Sequence, residues 1–293
     1  MSFVISTDTS ANLPTAELQW HQLYLLPFSY IVNEVEHQCL DLSAFDGDAY
    51  YEMLRHTPAS TSMISMDQYR QLWEPLLEEG HDILHVGMSS GISGAYQSAV
   101  MAARELREEY PQRRLVVFDT RAASLGEGIQ VLHAATCREA GYTLDETVRE
   151  LAELRPRIRQ IFTVDDLMHL RRGGRVSGVA AAVGTALRIK PLLKGDEAGR
   201  IVVFGKVQGR KRSVRALADN FAANAELLGR WPIGIAHAGC RDEALALAAM
   251  LKESDPKARI ILVDYEPVTG SHVGPGALAM FYVAKEPWPS AIC

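Results

Sequence analysis

The chain is 293 residues long, with a formal net charge of −6, 47% hydrophobic residues and 23% charged residues. That length suits two ordinary domains with separate cores, and the balance is that of a soluble globular protein. Cys39, Cys137, Cys240 and Cys293 are scattered, with no CxxC pair and no histidine at ligand spacing, which argues against a disulfide framework or structural zinc and for a reducing, cytoplasmic setting.

The opening MSFVISTDTS has no basic start and no long apolar segment, so no signal peptide is expected. Phe3-Val4-Ile5 reads as a short strand that runs into Thr7-Asp8-Thr9-Ser10-Ala11-Asn12-Leu13-Pro14. That polar loop stands where open parallel sheets place ligands, or is simply a run of turn residues before a helix at Thr15. A strand interrupted near Pro27 fits residues 24–32, and helices fit 45–56 and 67–79, with a Pro-Ser-Thr stretch around Thr61 between them.

Ile83-Leu84-His85-Val86 reads as a buried strand, and Tyr96, Ala99, Val100, Ala103 and Leu106 recur at helical spacing from a start near Ser93 or Gly94. The joint between them holds Gly87, Gly91 and Gly94 with Ser89, Ser90 and Ser93. A glycine- and serine-rich turn into a helix leaves the first helical N–H groups without partners, which favours an anion; a serine-capped joint with no ligand reads equally well. The loop lacks the Gly-Lys-Ser/Thr of a P-loop and the glycine spacing of a dinucleotide fingerprint. A further strand at Leu115-Val116-Val117-Phe118 leads to Thr120, and a helix follows over 125–140. Strand, polar loop and helix alternate, the pattern of a mostly parallel sheet flanked by helices. Exits near Asp8, Ser89 and Thr120 are expected along its carboxyl edge.

Arg155-Pro156-Arg157 marks a boundary, giving expected domains 1–156 and 157–293. The second half repeats the alternation, with strands at 161–164, 201–204, 233–236, 260–263 and 278–283 and helices over 213–228 and 242–252. The fold class is therefore α/β in both halves. The apolar run 176–187 is broken by glycines and too short to cross a bilayer. Residues 155–215 carry fifteen Lys and Arg against four Asp and Glu, within an otherwise acidic chain. Such a segment reads as a functional face or as an accident of surface design.

Four stretches then stand out together: Thr61-Ser62, SSGISGAYQSA over 89–99, DDLMHLRRGGRVSG over 165–178 with TALRIKPLL after it, and GSHVGPGALA over 270–279. In that order, and together with the opening TDTSANLP, they resemble the DegV family of bacterial fatty-acid-binding proteins nearly end to end. The departure is STSMISM over 60–66, where the family usually has Thr-Ser-Gln-Pro-Ser. The resemblance implies a fatty acid held in a tunnel of the N-terminal domain. It assigns the carboxylate to Thr61, Ser62, Ser93 and Gly94, with His272 contributed by the second domain.

It further implies a carrier without catalysis or cofactor of its own. Such a carrier presents the acid to a separate kinase that makes an acyl phosphate for phospholipid synthesis. Arg172 and Arg175, beside the Gly173-Gly174 turn, are the expected residues at that partner face, where guanidinium groups meet acidic side chains or phosphate. The basic group Lys206, Arg210, Lys211, Arg212 and Arg215 reads as a solvated helix start. Two other classes compete. A serine-dependent acyl hydrolase would use Ser93 and His272, although no Gly-x-Ser-x-Gly elbow is present. A nucleic-acid binder would use the basic segment, but helix-turn-helix, zinc-finger and aromatic–basic patterns are all missing. No metal site, no nucleic acid and no membrane insertion are expected.

Overall fold

The computed structural model describes residues 3–176, 189–227 and 229–288. Most of the apolar run 176–187, and the parts of two motif stretches at 177–178 and 185–188, lie outside the described residues.

In the first half the strands are β1 (Val4–Asp8), β2 (Tyr24–Leu26), β3 (Ser29–Val32), β4 (Val35–Gln38), β5 (Ala59–Ser62), β6 (Ile83–Gly87) and β7 (Leu115–Asp119). The helices are α1 (Thr15–Trp20), α2 (Gly47–Leu54), α3 (Met66–Glu78), α4 (Ala95–Glu109), α5 (Leu125–Glu139) and α6 (Leu144–Leu154). A wholly parallel sheet runs in the order β2-β1-β6-β7, and a small antiparallel sheet in the order β4-β3-β5. Pro27 does more than interrupt one strand, because β2 and β3 on either side of it belong to different sheets. The Pro-Ser-Thr stretch around Thr61 is no mere connection between helices: residues 59–62 form strand β5, with Thr61 opposite Tyr30. Helices α3 and α6 open on complete capping boxes, Ser65 with Gln68 and Thr143 with Glu146. Helix α6 lies beyond the elements expected from the sequence.

In the second half, β8 (Ile158–Thr163), β9 (Ile189–Gly195), β10 (Ile201–Gln208), β11 (Ile233–His237), β12 (Ile260–Asp264) and β13 (Leu278–Val283) form one sheet in the order β10-β9-β8-β13-β11-β12. Only the β11–β12 pair is parallel. Its helices are α7 (Met168–Arg172), α8 (Arg210–Asn224), α9 (Arg241–Ser254) and α10 (Pro267–Val273).

The two sheets share a core. Ile5, Leu84 and Val86 of the first sheet cluster with Phe162, Phe281 and Val283 of the second. Their strand neighbours turn to the opposite faces, as the two-residue side-chain period requires. Ile83 joins Trp73 of α3 and Ala99 of α4, while Ile161 and Met280 join Leu217 of α8 and Leu247 of α9. Helix α5 enters the shared core with its first half, buried at every position from Leu125 to Leu132, and is exposed only in its second half, at Thr136 and Glu139. Gly128 permits its close approach: a Cβ there would stand 2.6 Å from the Ala11 carbonyl oxygen.

Candidate functional site

The exits of β1, β6 and β7 meet along one edge. Asp8 caps the short turn Thr9–Ala11 by accepting from the Ser10 amide at 2.9 Å, and its other oxygen accepts from the Met88 amide at 3.0 Å. Glu127 of α5 accepts from the Ser10 hydroxyl at 2.5 Å and the Thr7 hydroxyl at 3.2 Å. Both carboxyls are fully buried, so desolvation raises each, and the charge of Asp8 pushes Glu127 up further. The opening acid-hydroxyl loop is therefore a closed structural joint: Asp8, Thr7 and Ser10 do not line the cavity described next.

That cavity, of about 230 Å3, lies between the two sheets. Thr61, Ser62, Ser93, Gly94 and His272 all line it, as does Arg175. Apolar wall is supplied by Phe28, Met88, Phe162, Val268, Val273 and Phe281. The walls come from both halves of the chain and are not confined to residues 1–156. Thr61 Oγ1 and His272 Nε2 are 2.9 Å apart. Burial, followed by the neighbouring Arg175 cation, lowers His272 to about 4, so the imidazole is neutral at pH 7 and offers one donor and one acceptor.

Each of these residues is positioned by an identifiable feature. Thr61 is fixed by the β3–β5 pairing. His272 sits on α10, whose first turn is capped by the buried Glu266 accepting from the amides of Val268 and Thr269 at 2.7 and 2.6 Å. Desolvation lifts that carboxyl to about 7. Helix α2 clamps α10: the Tyr50 hydroxyl lies 2.7 Å from Ser271 Oγ, and Tyr51 donates to the Tyr265 carbonyl at 2.6 Å. Gly270 of the GSHVGPG motif is there for packing, since a Cβ would run into the Tyr51 hydroxyl. The Ser89 loop is held by its amide donating to the Ala122 carbonyl at 2.8 Å and its hydroxyl to the Gly199 carbonyl at 2.9 Å.

Ser93 Oγ accepts from the Ala95 amide at 3.2 Å, so it serves the start of α4 without being the cap. The cap is Gly94, which has no side chain to offer, in contrast to the boxed starts of α3 and α6. The fifteen-residue α4 thus opens beside the cavity with its dipole free to meet an anion. Met63, from the stretch that departs from the family pattern, lies over Gly94: its sulfur would be 2.8 Å from a Cβ there. The next residue, Ile64, is fully buried and anchors the segment.

Arg175 donates to the Gly173 carbonyl and, at 3.4 Å, to that of Ile92. With Ser90, Gly91, Gly174 and Arg200 it lines an open groove of about 410 Å3 that shares Ile92, Ser93 and Gly94 with the cavity. Arg172 is exposed and lines neither. Arg210, in the second basic group, is spent on ion pairs with Glu243 and Asp165, and Arg215 pairs with Asp219. The cavity's apolar wall was missed from the sequence. Its phenylalanines and valines carry no local mark that separates a lining residue from a core residue. Among the described residues, no cluster of three or more His, Cys, Asp or Glu is arranged to hold a metal ion, and no helix is long and apolar enough to cross a membrane.

Comparison with known proteins follows the same lines. A family model described as "Uncharacterised protein, DegV family" matches residues 2–285. A DegV domain-containing protein of Clostridium perfringens is 36% identical over 289 residues, covering 97% of this chain and 99% of its own. Among solved structures, a fatty acid binding DegV family protein from Streptococcus agalactiae superposes with a TM-score of 0.84 at 30% identity, covering 98% of this chain and 100% of that one. DegV from Bacillus subtilis, described as a fatty acid binding protein, gives 0.82 at 28% identity, with 97% and 100% covered. With matching elements, motifs and extent, the chain belongs to the DegV family.

Proposed function

We propose that this protein binds a long-chain fatty acid in the cavity between its sheets and acts as a carrier. The observation that carries the reading is the cavity itself, which joins hydroxyls, a neutral imidazole and a free helix start to a wall of Phe, Met and Val. A carboxylate buried there gains charge-assisted hydrogen bonds from Thr61, Ser62, Ser93 and His272, with the α4 start at Gly94 and the Arg175 cation close by. The hydrocarbon tail gains about 0.8 kcal/mol for each methylene it removes from water. The fatty acid binding of the Streptococcus agalactiae and Bacillus subtilis relatives supports the same class of ligand.

In this reading the carboxylate faces the open groove, and a separate kinase docks there to form an acyl phosphate destined for phospholipid synthesis. Arg175 meets the transferring phosphate, and the exposed Arg172 meets the partner's surface. The setting is the cytoplasm, in keeping with scattered, unpaired Cys39, Cys137 and Cys240. The hydrolase alternative is poorly supported. Ser93 Oγ is engaged with the Ala95 amide, His272 with Thr61, and the charge acting on His272 is the cation Arg175 rather than an orienting carboxylate.

The test is mass spectrometry of an organic extract of the purified, folded protein. A stoichiometric fatty acid, lost from Thr61→Val and Ser93→Ala variants, is the expected result. Protein that arrives empty and takes up no added fatty acid would sink the reading, and labelling of Ser93 by a fluorophosphonate would favour the hydrolase.

A further inference from the structure

A second pocket, of about 270 Å3, adjoins the cavity. Gln160 of β8 and Gly195 of β9 line both spaces. The Gln160 side chain is held at both faces of its amide: Oε1 accepts from the Ala123 amide at 3.0 Å, and Nε2 donates to the Arg121 carbonyl at 3.0 Å. An amide bonded through both its oxygen and its nitrogen is tolerated as a wall against hydrocarbon, where a free one is costly. Two glycines leave the room it needs. A Cβ on Gly126 would stand 2.9 Å from Gln160 Cγ, and one on Gly195 2.7 Å from its Nε2. The pocket beyond joins apolar surface from Ala152, Pro156, Ile158, Pro287 and Trp288 to a charged rim of Arg121, Arg155, Asp196 and Glu197.

We infer that Gln160 is the partition that ends the acyl-chain compartment and sets the longest chain the protein accepts, and that the outer pocket is a continuation of the tunnel closed off by this one side chain. The inference rests on the fatty-acid reading above and names what that reading leaves open, the chain-length limit. The polar end of the ligand is expected at Thr61 and His272, so the tail has only the remaining volume to fill. Phe162 and Phe281 flank it on the second sheet. Shortening Gln160 removes the side-chain atoms common to both spaces and gives the terminal methylenes the apolar floor at Ile158 and Trp288.

The experiment is a competition assay with a homologous series of saturated fatty acids from dodecanoate to docosanoate. Affinity for the natural chain is expected to rise about fourfold with each methylene, the fold-change equivalent to about 0.8 kcal/mol, and then to stop at a limit. Gln160→Ala is expected to carry the rise onward by about two methylenes or more. Gln160→Ser replaces it if the alanine variant does not fold. Adding Ala152→Trp, which fills the outer pocket, is expected to restore the original limit. An unchanged limit in the Gln160 variant overturns the partition alone, as does a shift that Ala152→Trp leaves in place. If the natural chain binds no member of the series, the fatty-acid reading falls and the partition falls with it.

Discussion

Asp8 with Glu127 and Thr61 with His272 are both constellations of acid–base groups and hydroxyls, and Met88 touches the two of them: its amide serves Asp8, while the residue lines the cavity. Around Asp8 and Glu127 every oxygen is committed to Ser10, Thr7, Met88 or the partner carboxyl, and the pocket beside Asp8 holds only about 10 Å3. Among the described residues Thr61 and His272 make a single side-chain hydrogen bond, the one between them, and they face 230 Å3 of cavity. The first group organises the sheet edge. The second has capacity to spare for a ligand. Perturbed titration is common to both and does not tell them apart; space does.

Breaking the closed group should cost the most. Glu127→Ala leaves the Ser10 and Thr7 hydroxyls buried without an acceptor and is expected to lower stability by about 3 kcal/mol, read from the urea midpoint. Glu127→Gln, which keeps the shape and an acceptor, should cost about 1 kcal/mol. The pH dependence has a definite sign. Glu127 is raised in the fold above its ordinary 4.5, so from that pH upward the unfolded chain gives up a proton that the folded chain keeps. Stability therefore declines as pH rises through that window, with Glu266 adding the same sign between 4.5 and about 7. Glu127→Gln should flatten the decline, and a slope unchanged by it would locate the effect elsewhere.

The open group should show the reverse pattern. Thr61→Val and His272→Ala are each expected to weaken fatty-acid binding by about ten- to a hundredfold, the range for a hydrogen bond to a charged group. The Thr61 change should leave the urea midpoint nearly unmoved. His272 is depressed from 6.5 to about 4, so as pH falls through that interval the unfolded chain takes up a proton the folded chain refuses. Stability is lost there on acidification, opposite in sign to the Glu127 effect. Saturating fatty acid should reduce this loss, because a carboxylate at Thr61 favours the imidazolium. A loss of the same size with and without ligand would separate His272 from the ligand.

Much of this contrast could be read in the sequence, though unevenly. Runs such as Ile83 to Val86 and five of the six strands of the second half, β9 excepted, are marked by largely continuous apolar residues, and α4 by its apolar period. The polar motifs came forward because hydroxyls, glycines and a histidine cluster in short stretches, and the fold brings Thr61, Ser93 and His272 together around one space. What stayed hidden was set by distant partners. Thr61 sits in a strand because β3 pairs with it from beyond Pro27. The TDTSANLP loop looks as polar as the Ser89 loop, and distant partners close it, Glu127 on Ser10 and the Asp264–Glu266 backbone on Asn12. Gly270 looked like part of a binding motif, and its neighbour Tyr51 belongs to another element. Gln160 carried no local signal at all.

The finest distinction lies between the two arginines, which the sequence could not separate and the fold sets apart. Arg175 lines the cavity and the groove and bears on the charge of His272, whereas Arg172 lies outside both. Arg175→Ala is expected to weaken fatty-acid binding by about threefold to tenfold, since a partly buried cation near a carboxylate contributes more than an exposed one. Arg172→Ala should leave that affinity within about twofold, because an exposed charge at this distance is screened. If the kinase reading holds, both variants should slow acyl-phosphate formation when the partner is added. Arg175→Ala would then act through ligand and phosphate together, and Arg172→Ala through docking alone, visible as a raised concentration of carrier for half-maximal rate. Equal losses of ligand affinity in the two variants would mean that the groove and the cavity are not divided as the geometry of Arg175 indicates.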